Sequence, residues 1–284
     1  MFGDVGQGLV LFLGGLFLYK TKKMDLAGII SCAGVFSVFF GFMYGSFFGF
    51  EEVLKAIWLK PMNQMMDVPL VGRLNAVFVI AIGFGMFIIL ICMVFNIINS
   101  IRRGDTEKTW FDSNAVAGLV FYGSIVLTIG LFISGKKLPA AAILVIMFGV
   151  PLLLMFLKEP LTNLVEKKSK ILPEQKGMFF VQSFFELFEV LLSYLSNTLS
   201  FLRIGAFAVS HAAMMEVVLM LAGATNGGNP NWIVVVLGNI FVCAMEGLIV
   251  GIQVLRLEYY EIFSRFYAGN GREFKPFMKA AHKN

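Results

Sequence analysis

The sequence predicts an all-α, polytopic bundle of about seven membrane-spanning helices, and three features support this. Composition is the first: of 284 residues, 58% are hydrophobic and only 14% charged, with 31 Phe and 16 Met. Run length is the second. Uncharged stretches such as 74–100 and 138–157 reach the roughly 20 residues that a helix needs to cross about 30 Å of hydrocarbon. The third is the sorting of basic residues into alternate connections. Little sequence is left for a soluble domain.

Taken in order, the spans are 3–19, 26–47, 72–100, 114–134, 138–157, 178–222 and 231–267. The first is not a cleavable signal, because it lacks a basic leading region and opens on a Gly-rich motif. Between the second and third, residues 48–71 form a loop with Trp58 near its middle and Pro61 and Pro69 as breakers. An interfacial half-helix from Glu51 to Leu59 is expected there. Cys32, Cys92 and Cys243 fall inside spans, where they serve as small packing groups rather than disulfide partners.

The sixth span is over-long. As one helix it would measure about 67 Å at 1.5 Å per residue, so it must tilt, break or leave the membrane. The uncharged turn 223–231 joins it to an over-long seventh span, which predicts a steeply tilted pair lying side by side. The chain therefore divides into supporting helices (1–177) and a two-helix unit (178–284). No internal repeat is visible, against the habit of many secondary transporters.

Of the 23 Lys and Arg residues, 16 lie in one set of connections together with the tail, among them Lys20, Arg102, Arg103, Lys158, Lys176 and Arg265. Only five lie in the opposite set: Lys55, Lys60, Arg73, Lys136 and Lys137. The positive-inside rule then puts the N-terminus outside and the C-terminus in the cytoplasm. The net charge of +5 thus reflects topology, not nucleic-acid binding.

The remaining two basic residues, Arg203 and Arg256, lie within the last two spans. A guanidinium near mid-bilayer costs a few kcal/mol and cannot escape by deprotonation. At 100° per residue, Glu186, Glu189, Ser193, Asn197, Ser200 and His211 all fall within about 120° of Arg203. On the last span Asn239, Glu246, Gln253 and Tyr260 fall within about 100° of Arg256. Glu216 and Glu258 lie off these stripes and read as structural. A single arginine can also snorkel or pair with a glutamate merely to hold helices together, and a lone His211 is commonly a packing group. Two matching stripes exceed what structural pairing requires, so these residues are expected to face each other or a water-filled path.

No nucleotide-binding loop, Cys-x-x-Cys or His-Glu-x-x-His motif is present. The chain is expected to have no catalytic residues of its own, no ATP site, no cofactor and, with two histidines, no metal.

Three segments carry a specific resemblance: Met-Phe-Gly-Asp-Val-Gly-Gln-Gly at 1–8, Ser-Tyr-Leu-Ser-Asn-Thr-Leu-Ser-Phe-Leu-Arg-Ile-Gly-Ala-Phe-Ala-Val-Ser-His-Ala at 193–212, and the run beginning Glu-Gly-Leu-Ile-Val-Gly-Ile-Gln-Val-Leu-Arg-Leu-Glu-Tyr-Tyr at 246–277. Together they resemble the membrane domain of subunit a, or subunit I, of V-type and A-type rotary ATPases. The resemblance implies a further span before the first motif and an N-terminal cytoplasmic domain that reaches the peripheral stalk. Neither lies in this chain, and Met1 falls on an internal methionine of the motif, so the chain is expected to be a piece of a longer subunit.

The resemblance also implies a function. Arg203 and Arg256 would face the carboxylates of rotor-ring proteolipids, and two offset half-channels would couple H⁺ or Na⁺ translocation to ATP hydrolysis or synthesis. Glu189, His211, Glu246 and Gln253 map onto the family's half-channel groups; Glu186, Ser193, Asn197, Ser200, Asn239 and Tyr260 join them on phase alone. The implied partners are the ring, the peripheral-stalk subunits through the domain absent here, the soluble ATPase sector indirectly and the lipid of a prokaryotic plasma membrane. Two other readings compete: a secondary transporter whose arginines bind an anionic substrate, and a non-transporting scaffold.

Overall fold

The computed structural model describes residues 3–50, 53–58, 65–68, 72–136, 139–165, 176–224, 230–267 and 269. The elements are α1 (Val5–Lys22), α2 (Asp25–Tyr44), a short hairpin β1 (Met65–Val68) and β2 (Gly72–Asn75), then α3 (Ala76–Arg103), α4 (Thr106–Trp110), α5 (Val116–Ile133), α6 (Ala141–Phe156) and α7 (Lys158–Val165). The chain continues through α8 (Lys176–Ser200), α9 (Leu202–Leu221) and α10 (Trp232–Leu257), a π-helical segment (Glu258–Phe263) and a final turn (Ser264–Phe266). The architecture is thus a polytopic helical bundle with one small antiparallel hairpin, Met65 pairing with Asn75 and Val68 with Gly72.

Five helical runs among the described residues are long and apolar enough to cross a membrane: Asp25–Tyr44, Ala76–Arg103, Val116–Ile133, Gly177–Leu221 and Trp232–Phe266. A sixth is counted if α6 and α7, which meet at 73°, form one broken span. Helix α1 is more polar than these, because Gln7, Lys20 and Lys22 dilute its apolar run. It still packs along α2 as an antiparallel hairpin. The α2 face toward it is a stripe of small residues, Ala27, Ser31, Gly34, Ser37 and Gly41. Such residues let two backbones approach closely, which matters in lipid, where burying apolar area brings no gain.

Sequence also chooses the helix ends. Asp4 caps α1, accepting from the backbone N–H groups of Gly6 at 2.8 Å and Gln7 at 3.0 Å. Asn75 does the same for α3 through the N–H of Val77. Lys20 and Lys22 close α1 and Arg102 and Arg103 close α3, where cations complement the helix dipole. The half-helix expected over 51–59 does not form within its described part: 53–58 is a series of bends. The Trp58 N–H instead donates to Met43 O at the end of α2, which ties the loop to the bundle rather than to a helical turn of its own.

The central core joins α3, α5, α6 and α8 through Ile89, Met93, Phe121, Tyr122, Met155 and Tyr194, with Phe201 at their edge. Phe201 is fully buried and stands at the single-residue break between α8 and α9. The over-long sixth span is therefore 45 residues of nearly continuous helix with one interruption, and that interruption is anchored in the core. Phe184, Phe185 and Phe188 point outward, exposed as a lipid-facing surface requires.

Candidate functional site

The polar stripe on α8 and α9 divides into two sites, one along α8 and one on α9. From the middle of α8 to its last turn, Glu186, Glu189, Ser193 and Asn197 line an open pocket of about 310 Å³. These residues recur at three- and four-residue intervals, so one helical face presents them all. The opposite wall comes from Ser113 and Asn114, just before α5, and from Ser264 and Arg265 beyond the π segment. Glu189 is exposed to the pocket. Glu186 forms an ion pair with Lys158, the first residue of α7.

Arg265 belongs to this wall. By sequence it counts with the basic tail, yet it is 6% exposed. Its Nη1 donates to Asn114 Oδ1 at 2.9 Å, and its guanidinium lies 5.7 Å from the centre of the Tyr194 ring, within cation–π range. Nε and Nη2 find no hydrogen-bond partner among the described residues. Tyr194 is itself fixed, donating its hydroxyl to Ser113 O.

Toward the far end lies a compact, buried cluster. His211 Nδ1 meets Glu246 Oε2 at 2.6 Å, with both side chains 5–6% exposed. About two helical turns from Glu246 along α10, Asn239 Oδ1 accepts from Gln7 Nε2 at 2.9 Å. The same Gln7 amide lies 3.4 Å from Met215 Sδ, one turn beyond His211. Gln7 is 2% exposed and its Oε1 has no partner among the described residues. Helix α1 therefore clamps α9 to α10.

Gln7 is held in register by Asp4, which is completely buried. Besides its two capping bonds, the Asp4 carboxylate accepts from Ser46 Oγ at 2.7 Å and from the N–H groups of Phe48 and Gly49 at 2.9 and 2.8 Å. Five donors on one carboxylate offset the cost of burying its charge.

The arginines lie between the two sites. Arg203 follows Asn197 by about 9 Å of helix rise and precedes His211 by about 12 Å. It is half-buried, and its Nη1 has no hydrogen-bond partner among the described residues. Arg256 is exposed on α10, on a surface where Ile252, Leu255 and Tyr259 are also exposed. Gln253 is half-buried with Oε1 unpartnered among the described residues, and Tyr260 is exposed. Ser200 does not line the pocket. It donates to Glu261, a buried carboxylate of the π segment whose other oxygen has no partner among the described residues.

Of the twelve residues singled out by sequence, four share the pocket and three share the far cluster. Arg203, Arg256, Gln253, Tyr260 and Ser200 lie at or near the stretch between them. Sequence reasoning passed over Gln7, Asn114, Glu261 and Arg265. For Glu261 and Arg265 the missing signal was the π geometry, which rotates both away from α-helical phase.

Comparison with known proteins gives a consistent result. Residues 158–279 match the model of the V-type ATPase 116kDa subunit family. An A-type ATP synthase subunit I of Aeropyrum pernix is 28% identical over 97% of this chain and 44% of its own length. Its counterpart in Saccharolobus solfataricus is 44% identical over 32% of this chain and 14% of its own. The human V-type proton ATPase 116 kDa subunit a 3 is 35% identical over 33% of this chain and 13% of its own. The chain spans less than half the length of the relatives that match it end to end.

Proposed function

We propose that the chain is a member of the V-type ATPase 116 kDa subunit family, which it resembles, and that it forms the membrane part of a rotary-ATPase stator. In this reading Arg203 and Arg256 face rotor-ring carboxylates. The α8 pocket is the cytoplasmic half-channel, and the Gln7–Asn239–His211–Glu246 cluster belongs to the opposite one. The distribution of basic residues supports this direction, with the N-terminus outside and the C-terminus inside a prokaryotic plasma membrane.

One observation carries the proposal. Arg256 is exposed on an apolar face of a helix long enough to span the bilayer. A guanidinium facing lipid there is too unfavourable to persist, so a second membrane subunit must cover it and bring an anionic group. A carboxylate carried on a ring helix meets both needs. It is neutral in lipid when loaded with an ion, and it ionises where an arginine stabilises the charge. An arginine stays protonated, so it also blocks direct proton passage between the half-channels. The chain's own residues thus provide access and separation, while ATP chemistry belongs to other subunits.

The test is cysteine crosslinking in native membranes from Ile252→Cys and Leu255→Cys, which flank Arg256 on its exposed face, together with Arg203→Ala. The expected product is an adduct with a small carboxylate-bearing proteolipid. Arg203→Ala should remove coupled transport while the complex still assembles. Retention of coupled pumping by Arg203→Ala would overturn the assignment.

A further inference from the structure

The far cluster has its own approach from the loop side. A chamber of about 20 Å³ lies against His211, walled by Gly3, Tyr44, Ser46, Gly49 and Met215. That volume suits one water molecule, which needs about 10–15 Å³ and two to four polar partners. Tyr44, Ser46 and His211 place three polar side chains on the wall. Two glycines set its bore. A Cβ at Gly3 would come within 2.2 Å of the Tyr44 ring, and one at Gly49, where φ is +84°, within 2.5 Å of Met215 Cε. The loop cannot relax outward freely, because Ser46, Phe48 and Gly49 are all bonded to the buried Asp4 carboxylate.

We propose that this chamber is the selectivity constriction of the half-channel that ends at His211 and Glu246, admitting protons through a single bound water and excluding hydrated metal cations. The inference rests on the reading of the chain as a stator subunit. A proton crosses by exchange along hydrogen bonds, so a fixed water between Ser46 or Tyr44 and His211 is sufficient. A sodium ion would have to shed its hydration shell. The Asp4 carboxylate that anchors the loop already accepts five hydrogen bonds, and Glu246 is engaged by His211, so neither replaces that shell. Gly49 and Met215 are therefore the specificity-determining positions.

The test uses the complete complex reconstituted in vesicles, with coupled transport measured while proton and sodium concentrations on the loop side are varied separately. The wild type should respond to loop-side protons and ignore sodium. Met215→Trp and, independently, Ala212→Val on the same wall should each fill the chamber, cutting transport about tenfold or more with an assembled complex. They should shift its dependence on loop-side protons but not on protons from the other side. Two fillers are used so that misassembly of one leaves the other decisive. Wild-type rates in the assembled fillers, or a requirement for sodium, would overturn the inference. Arg203→Ala is run alongside: if it abolishes coupling while the fillers transport normally, only the chamber falls. If it retains coupling, the stator reading falls as well.

Discussion

The two polar sites are built from similar residues yet live in opposite surroundings. At the basic end, Glu186 and Glu189 border about 310 Å³ of open space, and the Glu186 side chain is 42% exposed although paired with Lys158. At the far end, His211 and Glu246 are almost wholly buried beside a chamber about fifteen times smaller. Water can replace a lost partner in the first site, so single side chains there are individually replaceable. The second has room for about one water, so its polar groups depend mainly on named neighbours. Hydration, rather than composition, separates the two ends of the proposed path.

The sharpest way to break this contrast is Glu246→Gln. It turns the buried carboxylate that meets His211 Nδ1 at 2.6 Å into an amide, disturbing a hydrogen bond whose loss in the interior typically costs about 1–3 kcal/mol. Coupled transport in vesicles should fall by about two orders of magnitude, far more than for Glu258→Gln. Equal effects would refute the assignment of Glu246 to the path.

Arg265→Met comes next. It leaves Asn114 Oδ1 without its donor, and the solubilised protein should lose about 1–3 kcal/mol of stability in thermal unfolding. An unchanged melting temperature would show that the guanidinium does not hold the π segment against α5. Glu189→Gln tests the open pocket and should slow transport by only about two- to fivefold with assembly intact, read as the initial rate of ATP-driven ion uptake. The smallest effect belongs to Lys158→Met. A partly exposed ion pair contributes about 0–1 kcal/mol, so stability and rate should stay near wild type. A large loss would mean that the pocket is drier than its opening indicates.

Much of this arrangement is legible from sequence alone. The ends of the long helices lie within a few residues of the predicted spans, because uncharged runs bounded by basic residues are set by the thickness of hydrocarbon. Helical phase brought Glu186, Glu189, Ser193 and Asn197 onto one pocket, since α8 is regular through that stretch. Phase fails where the helix is irregular: Ser200 adjoins the break at Phe201 and turns to Glu261, itself displaced by the π segment. Gln7 was hidden for another reason. Its partners are more than 200 residues away, and no local pattern encodes which face of α1 will meet α9 and α10. Arg265 was misplaced because a basic residue near a span end carries the same charge signal whether it meets water or, as here, a tyrosine ring.

The π segment has a consequence for heredity. One π turn accommodates a residue more than an α turn, so the stretch Glu258–Phe263 holds the final turn in a rotated register. Most substitutions inside it would leave that register alone. Were its six residues to close to α geometry without losing one, everything downstream would swing by about 100°, carrying Arg265 away from Asn114 and Tyr194. Selection on this stretch should therefore act on whatever keeps the π turn open, since it is the widened turn that holds Arg265 in register.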